Sequence, residues 1–167
     1  MSRLAALPFT IRRSNDVFAS GGITSTTETV HGLLRLEGEM LRVEWRVHRS
    51  TDRYGEETRT DQEVEPVRQV TIPLADLTAA SIRRPWWALR GGTRLTILAS
   101  SLEALAALAG PEGLSLPHPA QLELKIHRHD RSAAFDFVAD LQMALGDRAL
   151  RLAQGGGDSP PPLASGA

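Results

Sequence analysis

Apolar and polar side chains alternate with a period of two along much of the chain, most clearly in segments 29–36 and 40–48, with Gly38 between them. A two-residue period predicts strands that bury one face, and glycine permits the positive φ of a tight turn. We therefore predict an antiparallel hairpin with His31 and His48 on its solvent face. Its inward positions are Val30, Gly32, Leu34, Leu36, Leu41, Val43, Trp45 and Val47.

Shorter alternating segments follow toward the C-terminus. Gly91-Gly92 lies between two of them and predicts a second hairpin. Pro85 bends the strand that it interrupts, ends it or confines it to a sheet edge, because proline has no backbone N–H for a ladder. With a short strand at 9–12, the chain has about seven strands. The C-terminal ones are 70–74, 79–90 with Pro85 inside it, 93–99 and 122–127.

Three stretches lack this alternation. Residues 1–27 form an N-terminal extension that we expect to be mostly loop, because residues 13–27 are polar and contain Gly21-Gly22 and a Thr/Ser cluster. The polar stretch 49–66 is either a mobile loop or a protruding hairpin that turns near Gly55, and the sequence does not decide between the two. It could also be a partner-binding arm, although a solvated loop is favoured over that role. Residues 148–167 end in a Gly/Pro/Ser-rich sequence with little apolar surface to bury, so we expect a disordered tail.

Two segments have helical spacing instead. Ser100-Ser-Leu-Glu103 has the form of a capping box and predicts a short helix that ends at Gly110-Pro111. A longer helix is predicted over 131–146, where Gly146 offers a stop and Arg148–Leu152 could prolong it by a turn. Its apolar stripe consists of Ala134, Phe137, Val138, Leu141 and Leu145, opposite Asp136, Asp140 and Asp147.

These elements predict a mainly β (α+β) fold. An antiparallel sheet of about seven strands must cover its apolar face by rolling into a barrel or sandwich, and an amphipathic helix can close the open end. The helix at 131–146 is the element suited to this role. The expected architecture is therefore an antiparallel barrel or sandwich capped by a C-terminal α-helix.

The same order of elements resembles the pleckstrin-homology-like superfamily, particularly its small bacterial members. The resemblance rests on the hairpin Val30–His48, the segment Val70–Leu77 and the ending Leu122–Leu145, and it implies one barrel domain over residues 28–147. Two features depart from the family. The closing helix lacks the tryptophan of eukaryotic members, and the loop Glu37-Gly38-Glu39, taken as the first hairpin loop, is acidic where phosphoinositide-binding members are basic. An acidic loop repels phosphate, which argues against a phosphoinositide ligand.

Composition narrows the possible functions. The 167 residues include no cysteine, which excludes disulfides and thiolate chemistry, and we expect a cytoplasmic location. The net charge of −1 is not the basic excess of a nucleic-acid binder, so no nucleic-acid partner is expected. The apolar run before Pro8 is too short for a signal-peptide core, and no stretch approaches a membrane span. No motif implies a cofactor.

The most unusual local composition is a patch of arginine and tryptophan residues near Pro85. Neighbouring strand residues point to opposite faces, so a regular strand would expose one of the two indoles beside arginine side chains. Aromatic residues with arginine are typical of protein interfaces and of membrane-surface anchors. The alternative is that Pro85 distorts the strand and both indoles pack inward. The interaction candidates are Arg83, Arg84, Trp86, Trp87, Arg90 and Arg94.

Other notable residues have simpler interpretations. His127 and His129 share a strand face with Glu123 and could bind a metal, but a solvated polar face leading into the helix is favoured. Ser100-Ser101 beside Glu103 could be imagined as a nucleophile and a base, and capping explains them without chemistry.

Three functional hypotheses follow. The favoured one is a non-catalytic binding or scaffolding module that binds a protein partner or self-associates as a homo-oligomer. The second is peripheral binding to a membrane surface or lipid headgroup through the Arg/Trp patch. The third is an enzyme or small-ligand barrel whose site residues meet only in the folded chain.

Overall fold

The computed structural model describes residues 5–19, 22–55, 57–83, 93–109, 113–114 and 116–155. Within these residues the chain forms eight strands in two antiparallel sheets and one long C-terminal helix, which confirms the predicted mainly β fold. The elements are β1 (Ala5–Ala19), β2 (Gly22–Glu37), β3 (Met40–Tyr54), β4 (Arg59–Val64), β5 (Arg68–Pro73), β6 (Leu77–Arg83), β7 (Thr93–Ala99), β8 (Gln121–Ile126) and α1 (Arg131–Gly155).

The first sheet contains β1 to β5. β1, β2 and β3 are neighbours, and β4 and β5 pair with successive parts of β3. β4 and β5 therefore occupy one strand position, which is interrupted at residues 65–67, where Pro66 has no N–H to donate to a ladder. The second sheet has the order β6-β7-β8. The eight strands thus fill seven positions, close to the predicted number of about seven.

The two sheets form a sandwich rather than a closed barrel. No ladder joins them within the described residues, yet side chains from both enter one hydrophobic core. The alternation predicted for β2 and β3 sets the inward face, since Val30, Leu34 and Val43 are almost completely buried. The second sheet contributes Ala80, Leu95, Ile97, Leu122, Leu124 and Ile126 to the same core.

α1 packs against β6 and β1. Ala134, Phe137 and Leu141 face the core and are almost completely buried, as the helical spacing predicts. Full burial of a side chain of this kind contributes roughly 1.5–3 kcal/mol, so a few such residues fix the helix on the sandwich. Gln142 adds a specific contact, because its Nε2 donates a 2.7 Å hydrogen bond to the carbonyl oxygen of Ala80.

The N-terminal region differs from its prediction as a loop. β1 extends to Ala19 and β2 begins at Gly22, so the described part of residues 13–27 is strand. Residues 23–29 of β2 pair with β1 on one side and with β3 on the other. Threonine has a high β propensity, and ladder hydrogen bonds on both edges hold this segment in place although it buries little apolar surface.

The polar stretch 49–66 forms the protruding hairpin, one of the two alternatives that the sequence left open. β3 continues to Tyr54, the chain bends at Gly55, and β4 pairs back along β3. Because the β1–β2 hairpin comes first along the chain, the hairpin Val30–His48 is the second of the sheet. The acidic loop Glu37-Gly38-Glu39 is therefore not the first hairpin loop. The argument against a phosphoinositide ligand that used this loop position is wrong.

The short helix predicted from the capping box is not formed. Residues 100–105 follow bends and turns, and the nearest helical piece is the 3₁₀ turn Ala106–Leu108. So short a helix pays the nucleation cost for very few hydrogen bonds. Leu105 and Leu108 are instead held by burial in the core.

α1 is longer than predicted. It continues through Gly146 to Gly155, so residues 148–155 belong to the helix and not to a tail. A mid-helix glycine costs about 1 kcal/mol relative to alanine. Arg148 and Arg151 offset part of this cost, because both donate hydrogen bonds to Glu39 at the β2–β3 turn. The remaining tail residues, 156–167, lie outside the described residues.

None of the helices in the described part of the chain is both long enough and apolar enough to cross a membrane.

Candidate functional site

The outer face of the first sheet carries a cluster of polar and basic side chains. Residues directly opposite each other on antiparallel strands project from the same face, so the strand register defines rows across β1, β2 and β3. We call this surface the basic face. Its rows are Pro8–Leu33–Glu44, Thr10–His31–Arg46 and Arg12–Thr29–His48.

An open groove of about 340 Å³ runs across the basic face. Leu33 and Val67 supply apolar lining, and Val67 is 57% exposed. The imidazole rings of His31 and His48 meet edge to face, with centroids 5.3 Å apart. His31 Nδ1 also lies 3.5 Å from the hydroxyl of Thr10. The groove therefore offers apolar contact area with hydrogen-bonding groups beside it.

Charges around the groove are unevenly neutralised. Glu44 lies 3.7 Å from the guanidinium of Arg35 and 3.8 Å from that of Arg42. Arg12 and Arg46 are exposed and form no ion pair within the described residues. Two cations without a carboxylate partner beside an open groove make this surface complementary to an acidic ligand.

A network of carboxylates lies where the sheet extends beyond the core. Arg49 on β3 donates from Nε to Glu28 at 3.0 Å, from Nη1 to Glu63 at 3.2 Å and from Nη2 to Glu65 at 3.3 Å. The hydrogen bond to Glu28, opposed in part by burial, raises the pKa of the Arg49 guanidinium. This residue therefore joins β2, β3, β4 and the interruption before β5.

A second ionic contact joins α1 to the first sheet. Glu39 accepts hydrogen bonds from Arg151 and from Arg148, the latter at 3.3 Å. The hydrogen bond from Arg151 lowers the pKa of Glu39 below its ordinary value. This pair of contacts holds the last turns of α1 against the β2–β3 turn.

The structure describes two of the six residues of the predicted Arg/Trp patch. Arg83 is exposed at the end of β6, and its cross-strand neighbour on β7 is Arg94. Arg94 is also exposed and forms a 2.6 Å ion pair with Glu123 on β8. Arg84, Trp86, Trp87 and Arg90 lie outside the described residues, as does the predicted turn at Gly91-Gly92. The patch therefore stays a prediction.

The predicted histidine pair on the last strand has a local structural role. The rings of His127 and His129 stack with centroids 4.8 Å apart, and His127 Nδ1 accepts a 3.5 Å hydrogen bond from the backbone N–H of His129. Glu123, the third ligand considered, is paired with Arg94. Within the described part of the chain, no three His, Cys, Asp or Glu side chains are grouped so that they could hold a metal ion.

Sequence reasoning placed His31 and His48 on the solvent face of the hairpin but did not group them with other residues. The grouping depends on the register, which brings Thr10 and Arg12 of β1 beside them. No local pattern indicates this grouping, because residues 1–27 do not show the alternation of a strand over their full length.

Comparisons with protein-family models, with curated proteins and with solved structures found no match to this chain.

Proposed function

We propose that this protein is a non-catalytic interaction module that binds an acidic, partly apolar protein segment on the basic face. The carrying observation is the groove lined by Leu33, Val67 and Arg46, with Arg12 on the same face of the sheet two strands away. Neither arginine has an ion-pair partner in the described structure. Apolar surface with unneutralised charge at its rim is the usual composition of a protein-binding site.

The proposal places the domain in the pleckstrin-homology-like superfamily as a working hypothesis. Seven strand positions followed by a C-terminal helix agree with the order of elements on which the resemblance rests. Segment 14–27, at the end of the first hairpin, contains no lysine or arginine, which favours a protein ligand over a phosphoinositide at that loop. A chain without cysteine also suits a cytoplasmic module.

Binding to an acidic peptide tests the proposed function. The probe is a synthetic amphipathic helix with a Leu/Phe stripe flanked by aspartates, and its twin carries asparagine at each aspartate. Titration of isotope-labelled protein, followed by amide chemical shifts, should perturb residues of the basic face with the acidic peptide and at least about tenfold more weakly with the neutral twin.

Matched variants make the result specific. Arg46→Glu should weaken peptide binding at least about tenfold. Lys125→Glu, the same charge reversal at an exposed position of β8, should leave peptide binding unchanged. Equal binding of the two peptides, or equal effects of the two variants, would refute the proposed surface. Salt-sensitive binding to vesicles containing phosphatidylserine, without peptide binding, would favour the membrane-surface hypothesis instead.

A further inference from the structure

α1 has a second apolar stripe on the side that faces away from the core. Phe135, Met143 and Leu150 are 49%, 63% and 61% exposed. With Ala139 and Gly146 they recur at intervals of four, four, three and four residues, which places all five on one helix face. We call this surface the outer stripe. It runs over the 16 residues 135–150, or about 22 Å of helix from the first to the last, and such contiguous exposed apolar surface marks an interaction site.

A row of aspartates follows one side of the outer stripe. Asp136, Asp140 and Asp147 are exposed, and no cation in the described part of the chain pairs with their carboxylates. The outer stripe is therefore apolar with an acidic border. An apolar surface with an acidic border is complementary to the basic face, which combines an apolar groove with arginines that are unpaired in the described structure.

The charged groups on the two surfaces have similar spacing. Arg12 and Arg46 are two strands apart and offset by two residues, which separates their Cα atoms by about 12 Å. Asp140 and Asp147 are seven residues apart, or about 10 Å along the helix. The two aspartates can therefore face the two arginines while the outer stripe covers the groove.

A contact between these surfaces has to join two molecules. The basic face is the outer face of the first sheet, and the outer stripe lies opposite the residues of α1 that enter the core. Both look outward from one sandwich, so they cannot meet within a chain. Two copies that used the same aspartate border against each other would instead place like charges together.

We propose that the occupant of the basic face is a second copy of this chain, which docks the outer stripe of its α1 there with the aspartates toward Arg12 and Arg46. This inference rests on the proposed function and names its partner. The contact is heterologous, since each copy uses a different surface, and it therefore closes into a ring or continues as an open array.

Charge reversal followed by mixing tests this arrangement. The helix variant is Asp140→Lys/Asp147→Lys, and the sheet variant is Arg12→Glu/Arg46→Glu. Sedimentation of the wild-type chain over a range of concentrations should show species that grow with concentration and shrink with added salt. Each variant alone should associate at least about tenfold more weakly.

An equimolar mixture of the two variants should recover the association that each variant alone has lost. The intact stripe of the sheet variant can bind the intact basic face of the helix variant, and the reversed, cationic stripe can bind the reversed, anionic face. Circular dichroism checks that both variants fold, and Asp140→Asn/Asp147→Asn provides a milder helix variant that should weaken association by a smaller factor.

A strictly monomeric wild-type chain, or a mixture that sediments as the sum of its parts, would overturn the self-association. If the acidic peptide still binds the basic face in that case, the proposed function stands and the partner is another protein. If neither the peptide nor a second copy binds, both proposals fail.

Discussion

Replacing Gly32 with alanine probes the packing that supports the basic face. Gly32 lies in a row of the first sheet between Phe9 and Trp45, and both aromatic side chains are buried. A Cβ atom at position 32 would lie 2.1 Å from Cζ of the Phe9 ring and 2.5 and 2.6 Å from its two Cε atoms. Carbon atoms pack at about 3.5–4.0 Å, so the ring would have to move by more than about 1 Å.

The expected cost follows from the lack of space. Phe9 is only 2% exposed, so its ring moves against other core atoms and not into water. Such overpacking costs about 1–3 kcal/mol. For a domain of this size each 1 kcal/mol lowers Tm by roughly 2–4 °C. We expect Gly32→Ala to lower Tm by about 4–8 °C, corresponding to about 2 kcal/mol, in thermal unfolding followed by circular dichroism.

A double-mutant cycle separates this clash from other effects of the substitution. Phe9→Leu removes the ring atoms nearest to position 32, so the added Cβ should cost less in that background. We expect the loss of stability in Phe9→Leu/Gly32→Ala to be smaller than the sum of the single losses by about 1 kcal/mol. A Gly32→Ala chain as stable as wild type, or strictly additive losses, would refute the described packing.

Three further predictions concern other contacts. Gly146→Ala has open space for its Cβ and should stabilise α1 by about 0.5–1 kcal/mol, seen as a higher urea midpoint; a lower midpoint would contradict a continuous helix there. Arg49→Ala leaves Glu65, whose side chain is 11% exposed, without its hydrogen bond, and should cost about 1–2 kcal/mol; an unchanged urea midpoint would contradict the network. Because the Arg151 contact lowers the pKa of Glu39, its stabilisation is complete above the ordinary carboxyl pKa of 4.5 and is lost as the pH falls through the lowered value. Amide protection factors in the last turns of α1, corrected for the intrinsic exchange rate at each pH, should therefore fall in acid, and Glu39→Gln, which lacks this titration, should abolish that fall.

The parts of the fold that could be read from the sequence are those in which one face is buried. Val30, Leu34, Val43 and Val47 alternate with polar residues because every second side chain enters the core. The distal half of the same strands has no such pattern, since Thr24 and its neighbours extend beyond the core and both faces meet solvent. Those residues are strands because of their neighbours, which the sequence does not specify locally.

The end of α1 and the basic face could not be predicted for a related reason. Gly146 is a poor helix former, and its tolerance depends on contacts between the last helical turns and Glu39, which is more than one hundred residues away. Arg12, His31 and Arg46 come together through the register of three strands. The outer stripe can be identified from the sequence alone, because apolar or small residues recur from Phe135 onward at intervals of four and three residues.

Site-specific disulfide formation between two copies tests the docking of α1 on the basic face most directly. The chain has no cysteine, so Val67→Cys in the groove and Met143→Cys in the outer stripe each introduce one thiol. Under mild oxidation the mixture of these two variants should yield a dimer with a disulfide between positions 67 and 143 of different copies. Either variant alone should yield far less crosslinked product. Val67→Cys mixed with Leu102→Cys, an exposed leucine away from the stripe, is the control. Equal crosslinking in both mixtures, or none in either, would contradict head-to-tail docking.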